Sequence, residues 1–254
     1  MRRLLINTGG YKGEGIDIAR VLRDADHAAV AGRWQPLPIT DSLVGYERLS
    51  SVAKANVYIS TGIHGDEPAG PLAALELLKE NVWPANLNLW LIPCLNPQGY
   101  ALNTRENEER VDLNRDYRTF VTPIVQAHAK WLDARPRFDV SLLLHEDWES
   151  NGFYLYELNP DRRPSIAEAI VNAVKEVCPI DLSPVIEGRE ARDGIICANP
   201  DLVTRKDWPE AFYLIHNKAP LSYTLEAPSD FPLITRVQAL CRGVSGALRG
   251  LHQR

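Results

Sequence analysis

Few cysteines, no long apolar run and no surplus of positive charge limit what this chain can be. Its four cysteines (Cys94, Cys178, Cys197 and Cys241) are scattered and lack the paired spacing of a cysteine metal site or a disulfide framework. They read as buried free thiols in a reducing compartment. No stretch approaches the about 20 apolar residues that a membrane-spanning helix needs. Met1-Arg-Arg is followed by only Leu4-Leu5-Ile6 before Asn7-Thr8-Gly9-Gly10. That run is too short for the apolar region of an export signal, and the rest of a twin-arginine signal is missing. A formal charge of −5 gives no electrostatic hold on nucleic acid or an anionic membrane. Repeats and low-complexity linkers are absent as well. What remains is an ordinary globular composition, 45% apolar and 24% charged, over 254 residues. The expectation is a cytoplasmic enzyme with one catalytic domain over 1–254 and a sizeable core.

Strand-like and helix-like runs alternate, which predicts a mostly parallel mixed α/β sheet with helices on both faces. Strands are expected at Asn56–Ser60, Asn88–Ile92, Val140–Leu144, Phe153–Leu158 and Ser222–Leu225. Helices are expected at Pro71–Asn81, Thr122–Ala134, Ser165–Val177 and Ile234–Leu248. Three of the strands run into groups that can bind metal or move protons: His64, His145 and Glu226. Open α/β sheets form their ligand crevice at the carboxyl ends of their strands, so these three groups can converge.

The strongest local signal is His64-Gly-Asp-Glu67, in a Gly-flanked turn between a strand and a helix. An imidazole and a carboxylate three positions apart can share one small cation, with a third donor supplied from elsewhere in the fold. Two His and one Glu with an open position for water form a recurrent catalytic zinc set. An isolated His-x-x-Glu is more often a solvated turn, so the pair carries weight only in company. The second signal is Asn103-Thr-Arg105 through Arg110-Val-Asp112-Leu-Asn114-Arg115. A guanidinium grips both oxygens of a carboxylate and an Asn amide adds a donor, although such a charged loop can also be simply solvated.

In order, the chain carries His64-x-x-Glu67, Asn96-Pro-x-Gly99, Arg105, Val111-Asp-Leu-Asn-Arg115, a strand ending in His145, and Thr224-Leu-Glu226. Over about two thirds of its length this series resembles the zinc carboxypeptidase family, the M14 peptidases. The resemblance implies a zinc ion held by His64, Glu67 and His145. It also implies Arg105 as the group that polarises the scissile carbonyl, with Arg110 its rival at a poorer spacing. Asn114 and Arg115 match the pair that binds the substrate's terminal carboxylate, and Glu226 matches the general acid/base. The implied activity is hydrolysis of an amide beside a free carboxylate in a small peptide, one derived from murein among them by analogy.

Some features depart from that pattern. The family presents a mobile tyrosine upstream of its catalytic Glu; Tyr213 and Tyr223 are available here, and neither context matches. His145-Glu146-Asp147-Trp148-Glu149 sets three acids beside a ligand, where they could orient His145, repel acidic substrates or attract an ammonium. His27, His128, His216 and His252 read as surface or structural, and Trp131 as core. Arg189, Arg192, Arg205 and Lys206 lie between Pro184 and Pro209, as solvated charges or as a basic pocket lining. Two other readings stand beside the peptidase: an N-acyl amino acid deacylase of the aspartoacylase and succinylglutamate desuccinylase type, and a non-catalytic peptide-binding module. The deacylase branch carries a C-terminal β domain, whereas some 28 residues, mostly helical in pattern, follow Glu226. That length favours the peptidase.

Overall fold

The computed structural model describes residues 3–5 and 13–252; residues 1–2 and 6–12, most of the N-terminal stretch weighed above as a leader, lie outside the described residues. In chain order the elements begin with α1 (Ile18–Ala31), β1 (Gln35–Pro38), β2 (Val44–Arg48), β3 (Ala55–Thr61), α2 (Ala69–Glu80), β4 (Leu87–Ile92) and α3 (Pro97–Leu102). A 3₁₀ turn at Leu113–Arg115 precedes α4 (Pro123–Asp133), β5 (Val140–Asp147), β6 (Tyr154–Leu158) and α5 (Ala167–Val174). The chain then forms β7 (Val185–Ile186), β8 (Arg189–Glu190), β9 (Ile195–Ala198), α6 (Glu210–Asn217), β10 (Ser222–Pro228) and α7 (Leu233–His252).

Local chemistry accounts for several boundaries. Asp17 caps α1 by accepting from Arg20 N at 2.9 Å, and Thr122 caps α4 with Pro123 in its first turn. Asn81 closes α2 in the left-handed conformation that ends many helices. Apolar residues in β3, β4 and β5 run almost without a break, as strands covered on both faces require.

Eight strands form one sheet in the order β1-β2-β4-β3-β5-β10-β6-β9. β3, β4, β5 and β10 pair in parallel, while β1, β2 and β6 make antiparallel contacts. Leu142 and Leu144 face the side covered by α1, α2, α5 and α7, and Leu143 faces α4 and α6. Helices therefore cover both faces, as expected. His145 shares the face of Leu143, so it emerges on the α4–α6 side, where the carboxyl ends of β3, β5 and β10 meet. Among the described residues no helix is long and apolar enough to cross a membrane.

The five expected strands and four expected helices all form, with differences at their ends, while α1, α3, α6, β1, β2, β7, β8 and β9 were not foreseen. β5 continues through His145 to Asp147 and β10 through Glu226 to Pro228, so both groups stand within paired strands rather than just past them. Their mutual pairing, not their hydrophobicity, carries the strands on. The four cysteines are free thiols as expected, with Cys94 and Cys178 buried, but Cys241 is only partly covered and Cys197 is exposed.

Candidate functional site

His64 is held by a turn that has almost no spare volume. β3 ends at Thr61, and Gly62 then takes the left-handed φ of +67° that lets the chain reverse. Gly65 passes so close to α3 that a Cβ there would lie 2.0 Å from the Gly99 carbonyl carbon. Asn96 joins the two segments. Its Oδ1 accepts from Gly99 N at 2.9 Å, capping α3, and its Nδ2 donates to the Ile63 carbonyl at 3.2 Å. Tyr100 Oη donates to the Glu67 carbonyl at 2.6 Å. Asn96-Pro-x-Gly99 is thus a clamp on the turn that carries His64 and Glu67.

Three side chains from two segments converge. Glu67 Oε1 lies 2.5 Å from His64 Nδ1, and Glu67 Oε2 lies 3.0 Å from His145 Nδ1. One donor atom from each falls within 4.8 Å of the others. All three are buried: His64 is 2% exposed, His145 5% and Glu67 6%. Burial disfavours the charged imidazole of His64, yet Glu67 and Asp112 hold its pKa above the ordinary value. Burial likewise disfavours the Glu67 carboxylate, but the two histidines keep it well below the usual range. A cation binding the two Nδ1 atoms and the carboxylate would replace these shared protons. Two neutral imidazoles and one carboxylate are a donor set that suits a divalent metal ion.

Arg105 and the Asn-Arg pair stand beside this cluster. Arg105 Nε donates to Asp112 Oδ2 at 3.0 Å, and its Nη1 lies 3.6 Å from Glu67 Oε1. Asp112 also caps the 3₁₀ turn through Asn114 N at 2.9 Å and sits 3.4 Å from His64 Nε2. One carboxylate therefore fixes the ligand turn, the arginine and the Asn-Arg pair relative to one another. Asn114 Oδ1 accepts from Glu210 N at 2.9 Å, the first amide of α6, so its Nδ2 remains the available donor. Burial and the nearby cations Arg105 and Arg205 hold the Arg115 pKa below its ordinary value, with Asp112 opposing.

Glu226 lies opposite His145 on one side and Tyr154 on the other. Burial raises its pKa well above the ordinary carboxylate value; His145 opposes the shift and Glu67 adds to it. A raised pKa suits a group that must both take and return a proton. His64, Glu67, Arg105, Asn114, Arg115, His145 and Glu226 all line one cavity of about 480 Å³. Arg110 is exposed on the surface and stays outside it.

Neither tyrosine singled out in the sequence reaches the site. Tyr213 Oη donates to Asp133 at 2.7 Å behind α4, and Tyr223 donates to Glu157 at 2.9 Å on the opposite face of the sheet. The cavity instead carries Tyr154 and Tyr156, placed by the antiparallel return of β6. Of the three acids after His145, Glu146 points to the other face. There it pairs with Arg236 at 2.6 Å and accepts from Ala69 N, which rules out a direct hold on the His145 ring. Asp147 and Glu149 line the cavity. His128 is structural, buried between Tyr58 and Tyr117; Trp131 is core. Arg189 and Arg205 line the cavity, whereas Arg192 is exposed.

Residues 48–152 match a family described as "Protein of unknown function (DUF2817)". Carboxypeptidase SOL1 of Arabidopsis thaliana is 35% identical over 66 residues, a stretch that is 22% of this chain and 13% of that protein's length. Among solved structures, a candidate metallopeptidase of Shewanella denitrificans superposes with a TM-score of 0.76 at 25% identity, over 91% of this chain and 88% of that one. A metallo-carboxypeptidase of Burkholderia cenocepacia superposes with a TM-score of 0.69 at 17% identity, over 95% and 70%. The resemblance drawn from the ordered motifs therefore holds, in fold and in kind of relative.

Proposed function

We propose that this chain, a zinc carboxypeptidase relative in fold and in the order of its site residues, is a zinc-dependent metallocarboxypeptidase or amidase. Its reaction is hydrolysis of an amide bond beside a free carboxylate in a small peptide, with murein-derived peptides among the candidates. One observation carries the reading. The His64–Glu67–His145 donor set opens on the same cavity as a buried carboxyl with raised pKa and an Asn-Arg pair.

His64 Nδ1, Glu67 and His145 Nδ1 would hold the zinc ion, which supplies a Lewis acid and acidifies a bound water at neutral pH. Every other part of the reaction belongs to the protein. Arg115, with the Nδ2 of Asn114, holds the substrate's terminal carboxylate and so fixes the amide at a set distance from the water. Glu226 takes the proton of the attacking water on its carboxylate and hands it to the leaving nitrogen. Arg105, oriented by Asp112, meets the charge that develops on the carbonyl oxygen.

The test is a matched set of short peptides, free or amidated at the C-terminus, together with N-acyl amino acids, given to zinc-loaded protein. Release of the C-terminal residue from the free peptides, with no cleavage of the amidated ones, is the expected outcome. Efficient cleavage of amidated peptides would remove the carboxylate-recognition role of Asn114 and Arg115. Turnover confined to N-acyl amino acids would move the chain to the deacylase branch. No turnover of any kind would leave a binding module.

A further inference from the structure

The α6 end of the cavity holds, beside Arg115, a second guanidinium that the reaction above does not use. Arg205 lines the cavity together with Asn114, Arg115, Pro209 and Phe212. Its Nε donates to the Asp207 carbonyl at 2.9 Å, and its guanidinium lies over the Phe212 ring, 5.2 Å from the centroid. Arg118 donates to the carbonyl of Arg205 and so holds the backbone beneath it. The two terminal nitrogens of Arg205 have no hydrogen-bond partner among the described residues. A planar fork tied at one edge and backed by a ring keeps its outer edge ready for a carboxylate, with little further entropy to lose on binding.

Charge balance at this end points the same way. Asp207 lies between two guanidiniums, 3.6 Å from Arg115 Nε and 3.7 Å from Arg205 Nε, and is 54% exposed. Asp207 is well solvated, and Asp112, which also acts on Arg115, is bonded to Arg105, so a net positive charge remains around Arg115 and Arg205. Of the acids lining the cavity, Asp147 and Glu187 belong to the opposite end. Asp147 stands two residues beyond His145 on the same face of β5, and Glu187 acts on Tyr154 and Tyr156 across from Glu226. Arg189, a further cation of the lining, shares its hairpin with Glu187 and Glu190. A doubly charged anion is therefore drawn to the α6 end and repelled from the other.

On the carboxypeptidase reading, on which this inference rests, Asn114 and Arg115 take the terminal carboxylate. We infer that Arg205 is a specificity-determining residue that takes a second carboxylate, the side chain of an acidic C-terminal residue. The favoured substrates end in glutamate or aspartate.

Peptides sharing one acyl part and ending in Glu, Gln, Leu or Lys, each also made as the C-terminal carboxamide, test this on zinc-loaded protein. The wild type should cleave the Glu peptide with kcat/KM at least about tenfold above the Gln peptide, the worth of one charge-assisted contact. Arg205→Gln should bring that ratio close to one, chiefly through KM for the Glu peptide. Arg205→Lys should keep part of it, and Arg205→Glu should favour Lys over Glu. Should a variant fold poorly, inhibition of the wild type decides: glutarate should bind at least about tenfold more tightly than butyrate. A Glu/Gln ratio near one in the wild type, or the same ratio in Arg205→Gln, overturns the inference. If Leu and Gln peptides are still cleaved and their carboxamides are not, the carboxypeptidase reading survives that loss. No cleavage of any free-carboxylate peptide removes both.

Discussion

Beneath Asn114, the carboxyl of Glu210 ends a buried chain of polar groups. It accepts from Tyr58 Oη at 2.8 Å and Ser60 Oγ at 2.9 Å. Because Tyr58 donates its one proton there, it accepts from His128 Nε2 at 2.9 Å, and Tyr117 Oη then donates to His128 Nδ1 at 2.6 Å. Burial pushes Glu210 up to about 7 against the two hydroxyl donors, and burial pushes His128 down to about 3. Glu210 binds its proton more tightly folded than unfolded. Its stabilisation is therefore complete below about pH 4.5 and fades as pH rises towards 7, a change of roughly 3 kcal/mol. His128 works in the other direction: its contribution is present above about pH 6.5 and is lost towards pH 3. Denaturant unfolding of wild type and Glu210→Gln from pH 4 to 8 should show their stability difference shrinking as pH rises; a difference independent of pH would refute the shifted carboxyl. Glu226→Gln tests chemistry at the same scale. Metal content should stay at the wild-type level while turnover falls by ~10²–10⁴. Unchanged turnover would pass the proton to another acid of the cavity, Asp147 or Glu149.

Among the elements, the turn after β3 and the start of α3 are the least tolerant contact near the site. Gly65→Ala puts a methyl group 2.0 Å from backbone that has no flexible end to give way. A loss of more than ~2 kcal/mol is expected, with a fall in bound metal because the same shift moves His64. Thermal unfolding and metal analysis of the variant check both; normal metal content would show that the turn can relax away from the ligand. This contact also marks where sequence reading stops. His64, Glu67, His145 and Glu226 were legible because apolar runs lead straight into them, and Gly62 and Gly65 flagged the turn. Tyr154 and Tyr156 reach the site through the antiparallel return of β6, and Glu210 comes to lie beneath Asn114 through the docking of α6, both of which tertiary packing decides. The helix α6 has only eight residues, and β1 and β2 have four and five, too few for a clear period. Asp112 stood within a recognised motif, yet only its contacts with Arg105 and His64 disclose its part.

At the scale of the whole molecule, the site is a junction between distant segments, so on the proposed reading metal binding would be linked to folding. Metal that binds only the folded chain should raise its stability by about 2.7 kcal/mol at a hundredfold excess over Kd, and a chelator should reverse this. Calorimetry with and without chelator checks the shift, which should vanish in His64→Ala; an equal shift there would place the stabilising metal elsewhere. The opposite face has its own long-range tie. Arg236 is fully buried, bonded to Glu146 at 2.6 Å and to Glu14, and joins α7 to β5 and the N-terminal segment. Arg236→Met should cost about 3–5 kcal/mol, since it leaves the Glu146 carboxylate buried and unpaired. The spacing of the metal donors also bears on how the protein is made. His64 and Glu67 leave the ribosome together, but His145 follows Glu67 by 78 positions. Two donors on an unfolded nascent chain grip a cation weakly. On the zinc reading, firm capture would wait until β5 has been synthesised and has paired with β3, so a chain stopped short of His145 would draw little on the cell's zinc.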